Sequence, residues 1–161
     1  MRDARKYLIA ALLPLAVLLF LPAYPRAIVV FGEKCALTAS ASASTDSFKG
    51  ESIALTLDIS SLPASMFDGG AEKGAAYYVS LAETGGGACS ALGAHRTPPD
   101  GIYLKGTAIR VSETVRMDYG RRLERFYVEE GTAKAAAGGK LLVGISVLKG
   151  EAVITSVQSA K

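Results

Sequence analysis

The sequence predicts an all-β extracytoplasmic domain, an antiparallel barrel or sandwich with at most one short helix, behind a single membrane-spanning helix. Three observations predict it. Residues 7–23 (YLIAALLPLAVLLFLPA) carry no charge. Ile53, Leu55, Leu57 and Ile59 alternate strictly with Ser52, Ala54, Thr56 and Asp58, the period-two signature of a strand with one buried face. The remainder divides into short apolar runs separated by Gly, Pro and Asp turn signals, the spacing of a barrel or sandwich.

Arg2, Arg5 and Lys6 precede the charge-free run, and the next ionised group is Arg26. A helix over the run is about 26 Å long at about 1.5 Å per residue, near the ~30 Å core of a bilayer. An uncleaved anchor fits better than a cleaved signal peptide. The best cut, after Ala23, has Leu21 and Pro22 before it, a poor small-residue site. Pro14 is tolerated in a membrane helix. The excess of basic residues ahead of the run places the N-terminus in the cytoplasm and residues 27–161 outside, in the periplasm or on the outer surface. Cys35 lies too far past the run for a lipoprotein.

Further along, Ile28 to Ala39 reads as a first strand and Ala39 to Thr45 (ASASAST) as a loop. The alternating strand 52–59 follows. Leu62 to Ala71 is a turn-rich connection containing Pro63 and Gly69-Gly70. Ala75 to Ala82 is a strand rich in aromatic and β-branched residues, and Gly85 to Asp100 a long loop. Ile102 to Ser112, Val115 to Tyr119 and Leu123 to Val128 read as strands. Thr132 to Ala137 reads as one or two helical turns, stopped by Gly138-Gly139. Lys140 to Leu148 and Glu151 to Val157 form a hairpin closed at Lys149-Gly150. No repeat and no second domain boundary is visible.

The chain carries +3 overall, yet residues 27–161 hold 14 basic and 14 acidic side chains. A neutral domain lacks the electrostatic footprint of a nucleic-acid binder. Cys35 and Cys89 read as two unpaired small apolar side chains, because Cys89 lies in Gly-Gly-Gly-Ala-Cys-Ser; an oxidising compartment would permit a bridge. With His95, read as a surface residue in a loop, they lack the close-spaced pair of a zinc site. Gly85-Gly86-Gly87 has no following Lys-Ser/Thr and is not a phosphate loop. No cofactor is expected.

Two segments are denser in polar and aromatic residues. The first runs from Asp46 through Phe48-Lys49-Gly50-Glu51-Ser52 to Leu55 and Leu57. The second is Met117-Asp118-Tyr119-Gly120, continued by Arg125-Phe126-Tyr127-Val128-Glu129-Glu130-Gly131. Together they resemble the GDYXXLXY family of membrane-anchored bacterial proteins. Gly50 and Leu55 match its signature and Glu51 replaces its Asp, while Ser52 and Leu57 replace its two Tyr. Phe48-Lys49 resembles the aromatic-basic pair before the motif, and the second box resembles the family's EYG…RYFVxEG segment. The resemblance implies no activity. Members often occur beside, or fused to, multi-span membrane proteins, which implies a membrane-embedded partner.

Two readings of the boxes follow. Glu51, Arg125, Glu129 and Glu130 line a cleft for a ligand or partner, or they are solvated strand-end charges whose pairing contributes only ~0–1 kcal/mol. Ser65-Met66 resembles the nucleophile box of serine–lysine signal peptidases, but the downstream Gly-Asp-Asn box is absent. With no nucleophile–base pair visible, the expected role is a non-catalytic binding or accessory module for a membrane-embedded partner. A secreted domain with a purely structural role is the alternative.

Overall fold

A computed structural model describes residues 12, 24–46, 50–85, 87–120, 122–127 and 139–159, with backbone alone at 43–46, 50–52 and 125–127. Ten strands form one open, mixed sheet: β1 (Glu33–Asp46), β2 (Gly50–Leu57), β3 (Ser61–Pro63), β4 (Ala76–Gly85), β5 (Ala88–His95), β6 (Tyr103–Arg110), β7 (Thr114–Asp118), β8 (Arg125–Tyr127), β9 (Lys140–Leu148) and β10 (Glu151–Ser159). The main path is β10-β9-β1-β5-β4-β6-β7-β3, with β2 between β1 and β8. Every strand pair is antiparallel except β1 with β5, which meet at Ala36 and Ala88. The β-rich expectation holds in this form, as one open sheet with a parallel junction.

Among the described residues a helical segment, here α1 (residues 24–31), precedes β1, where the sequence predicts strand from Ile28. Burial of Ile28 outweighs the β-propensity of Ile28-Val29-Val30. Ile28 is fully buried. Its carbonyl accepts the Gly32 N–H (2.9 Å) and the hydroxyl of the fully buried Ser146 on β9 (2.6 Å). Among the described residues no helix is long and apolar enough to cross a membrane. The expected span, 7–23, lies outside the described residues apart from Leu12, and so does the helical turn expected at 132–137.

Strand β1 extends through Asp46, so ASASAST is strand and not loop. Cys35, Leu37, Ala39 and Ala41 alternate inward and are buried. Residues 33–40 pair with β9 and 39–46 with β2, so neighbours on both sides supply the stabilisation that Ala and Ser lack intrinsically. The second correction is β5, in the segment expected as a long loop. Its hairpin with β4 turns through Gly85 and Gly87, both at positive φ, and the paired strand resumes at Ala88. The β9–β10 hairpin is as expected, with Leu148 opposite Glu151 and both Lys149 (φ 51°) and Gly150 (φ 83°) left-handed, the geometry of a two-residue turn matched to strand twist.

The core lies on one face of the sheet. Ile53, Leu55 and Leu57 of β2 meet Val79, Leu104, Val115, Met117 and the β9 series Leu141, Val143, Ile145 and Val147. Tyr77 is completely buried among them, edge-on to Phe67 with centroids 4.9 Å apart. Its hydroxyl accepts the Glu72 N–H (2.9 Å) and donates to the Gly70 carbonyl (3.1 Å). The disulfide Cys35–Cys89 joins β1 to β5, with Cα atoms 6.0 Å apart. Cys89 is held in a strand paired to β4 and not in a slack glycine stretch, which corrects the unpaired reading.

Candidate functional site

The first box and the Arg125–Tyr127 part of the second are neighbours in the sheet. On β2 and β8, Ser52 faces Tyr127, Ile53 faces Phe126 and Ala54 faces Arg125; the Leu55 N–H donates to the Glu124 carbonyl at 2.8 Å. Leu55 and Leu57 are both buried in the core, so these motif positions are structural. Leu57 fits an apolar site where the family signature has Tyr. Gly50 and Glu51 pair with Asp46 and Thr45 of β1 at the far end of the ladder. Phe48, Lys49, Glu129, Glu130 and Gly131 lie outside the described residues.

A cleft does form, around the start of the second box. It has a volume of about 430 Å³ and is lined by Lys105, Tyr119, Gly120, Arg122, Gly150, Glu151 and Ala152. The β9–β10 turn closes one side: the Lys105 N–H donates to the Gly150 carbonyl at 2.8 Å, and a side chain at Gly150 would come within 2.9 Å of the Tyr103 ring. Gly120 closes the other side. Its φ of +87° is the left-handed turn that ends β7, favoured for glycine, and its N–H donates to the Asp118 carboxylate at 2.7 Å. Tyr119 forms the floor. Its hydroxyl donates to the Ile59 carbonyl at 2.9 Å, tying β7 to the one-turn helix after β2. Arg122 and Glu151 approach to 3.6 Å across the rim. Lys105 and Arg122 against one carboxylate give the lining a cationic excess, suited to an acidic or hydrogen-bond-accepting group.

The family model described as GDYXXLXY protein matches residues 14–157. The chain belongs to the GDYXXLXY family. No curated protein and no solved structure matches it. For this GDYXXLXY protein, then, the first box and Arg125–Tyr127 of the second form a paired-strand element, while Met117 and Asp118 lie on β7, and Tyr119 and Gly120 alone of the described motif residues reach the cleft.

The floor of the cleft makes two predictions. A Cβ at Gly106 would lie 2.8 Å and 2.9 Å from the Tyr119 ring and 3.1 Å from the Asp118 carbonyl. Gly106→Ala must displace the ring and break its bond to Ile59, an overpacking cost of about 1–3 kcal/mol measurable as a lower urea midpoint. Burial also pushes the Tyr119 phenol well above its ordinary value, because the phenolate would lose its hydration. The unfolded chain then ionises first. The neutral phenol's contribution is complete below about pH 10 and declines as the pH rises above it. Stability of the wild type should fall above that pH more steeply than that of Tyr119→Phe, read by denaturation at pH 9 and 11.

Other singled-out residues are placed as follows. Ser65 is exposed on a one-turn 3-10 helix (Ala64–Met66), away from the cleft. Arg96 lies over the Tyr77 ring (4.7 Å) and bonds Glu72 at 3.0 Å. His95 is the site residue that sequence reasoning misplaced. It ends β5, half-buried, with its ring nitrogens directed at Ser80 and Asp68. These three residues are 12 to 27 positions apart; the β4–β5 pairing brings Ser80 to His95, and the Phe67–Ala94 bridge with the Asp68 N–H to the Ala94 carbonyl brings Asp68, so no local motif marks them.

Proposed function

We propose that this GDYXXLXY protein is a single-span, envelope-located binding or accessory module for a membrane-embedded partner, anchored by residues 7–23 with its N-terminus inside and its β domain extracytoplasmic. The joint between α1 and β9 carries the reading. Ile28, Gly32 and Ser146 lock the segment directly after the apolar run into the sheet, so the domain would be held in a fixed attitude to whatever residues 7–23 enter. A tether with no positional role needs no such joint. The Cys35–Cys89 bond supports an oxidising compartment, and the family match begins within the apolar run. Beyond Ile28, α1 exposes Val30 (71%) and Phe31 (75%), suited to the water–lipid boundary. The domain itself is read as barrel-like, because the β9–β10 turn returns to β6 at Leu104 and Gly150.

The cleft beside Tyr119 is the surface offered to the partner. Its test is a photocrosslinking residue at Arg122 in the full chain, with membranes then washed in alkaline carbonate. The expected result is full-length protein retained in the membrane and crosslinked to a multi-span protein. Release into the wash as a shortened chain with no crosslink contradicts the reading.

A further inference from the structure

Ser80, His95 and Asp68 form a hydrogen-bonded chain on the sheet face turned away from the core. Ser80 lies between the buried Val79 and Leu81 of β4, so alternation directs it to the other face. Its Oγ is 3.3 Å from His95 Nε2, and His95 Nδ1 is 2.5 Å from Asp68 Oδ2. All three positions are fixed by backbone pairing. Ser80 faces Gly93, and His95 lies two residues further along β5, opposite Tyr78. Gly93 has no side chain to occupy the intervening space; a Cβ there would be 3.4 Å from His95 Cε1 and Nε2. The imidazole leans over Gly93 to reach the serine. Asp68 is held beside it because the Asp68 N–H donates to the Ala94 carbonyl at 3.1 Å.

The Ser80 hydroxyl has two acceptors in reach, the Gly93 carbonyl at 3.2 Å and His95 Nε2 at 3.3 Å, and rotation about its C–O bond turns its one proton to Nε2 for the reaction. A carboxylate only accepts, so Nδ1 carries the proton toward Asp68, and in the neutral ring the Nε2 lone pair faces the Ser80 hydroxyl. Nucleophile, base and orienting acid stand in the order that activates a serine. The surroundings supply a place for a substrate. Leu92 is bulged out of the β4–β5 register and 65% exposed; such bulges recur next to active sites. On the other side Ser80 faces Tyr103, whose ring is edge-on to Tyr78 at 5.7 Å.

We propose that Ser80 is an acyl-accepting nucleophile for uncharged carboxylic esters carrying an apolar or aromatic group, with His95 as base and Asp68 orienting it. Ser80 Oγ bonds to the ester carbonyl carbon as its proton passes to Nε2. The carbon–alkoxy bond breaks, and the leaving oxygen takes that proton and departs as the alcohol. Water then adds to the acyl-serine, giving a proton to Nε2; the acid is released and the proton returns to Ser80 Oγ. Tyr103 and Leu92 flank the serine where the apolar part of the ester would rest. The proposal is independent of the anchor and of the cleft beside Tyr119.

The test is a fluorophosphonate probe on the full chain in detergent, which forms an Oγ–P bond and expels fluoride, with adducts located by peptide mass. The expected result is one adduct, on Ser80, absent from denatured protein. Ser80→Ala should abolish it. His95→Gln should slow labelling by about 10²–10⁴-fold, the range general-base assistance supplies. Hydrolysis of p-nitrophenyl acetate should fall in parallel. No adduct on native wild type, or equal labelling of native and denatured chain, overturns the proposal. The location of the wild-type adduct decides the matter even if a variant fails to fold.

Discussion

Gly32→Val lowers the stability of the domain by about 3 kcal/mol, at the upper end of overpacking costs. A Cβ at this position falls within contact distance of the Ile28 carbonyl and the Ser146 hydroxyl, and 2.9 Å from the Val147 carbonyl. Two of the three obstacles are backbone atoms, one in α1 and one in β9, and neither can swing aside. Relief requires α1 to separate from β9, which exposes Ile28 and breaks the Ser146 bond. Ser146→Ala is the control. It removes one hydrogen bond, while the Ile28 carbonyl keeps the Gly32 N–H, and costs about 1 kcal/mol. Thermal unfolding in detergent should show a fall of about 10 °C for Gly32→Val and a much smaller one for Ser146→Ala. Equal melting of Gly32→Val and wild type would mean that α1 is not docked on the sheet.

Removing the Cys35–Cys89 bond is the second large effect. The cysteines are 54 residues apart, and closing a loop of that length contributes about 4 kcal/mol in the chain-entropy model. Locally, β1 and β5 share one register pair, Ala36 with Ala88, and the Ala36 N–H bond to the Gly87 carbonyl at 3.2 Å. With Cys35 and Cys89 both replaced by Ala, this junction should open first. Exchange of the Ala36 amide should accelerate more than that of the β9–β10 hairpin, and the urea midpoint should fall. Two free thiols in the unreduced, denatured wild type would contradict the bond itself.

How much was legible depended on side-chain contrast. Ile53, Leu55 and Leu57 alternate with polar residues, and the Lys149-Gly150 turn has unmistakable chemistry, so β2 and the β9–β10 hairpin are readable. Strands β1 and β5 are built largely from small residues, Ala and Ser above all. Their buried alternation, Cys35-Leu37-Ala39-Ala41, carries too little hydrophobic contrast to stand out, and long-range pairing makes them strands. The same long-range pairing hid the Cys35–Cys89 bond and the Ser80–His95–Asp68 chain. In α1, β-branched residues pointed to strand, while the deciding contact, Ile28 with Ser146, spans 118 positions. The family boxes were legible as motifs, and their meeting on β2 and β8 follows their order. The cleft was not, because Lys105, Gly150 and Glu151 enter it from β6 and the β9–β10 turn, which no motif links to Tyr119.

The most direct test of the account is affinity purification of the C-terminally tagged full chain from detergent-solubilised membranes, paired with the intact mass of the purified protein. The account predicts an uncleaved N-terminus and a multi-span membrane protein recovered in stoichiometric amount. A chain trimmed near Ala23 that copurifies with nothing would contradict it, and would make the protein a free secreted β domain.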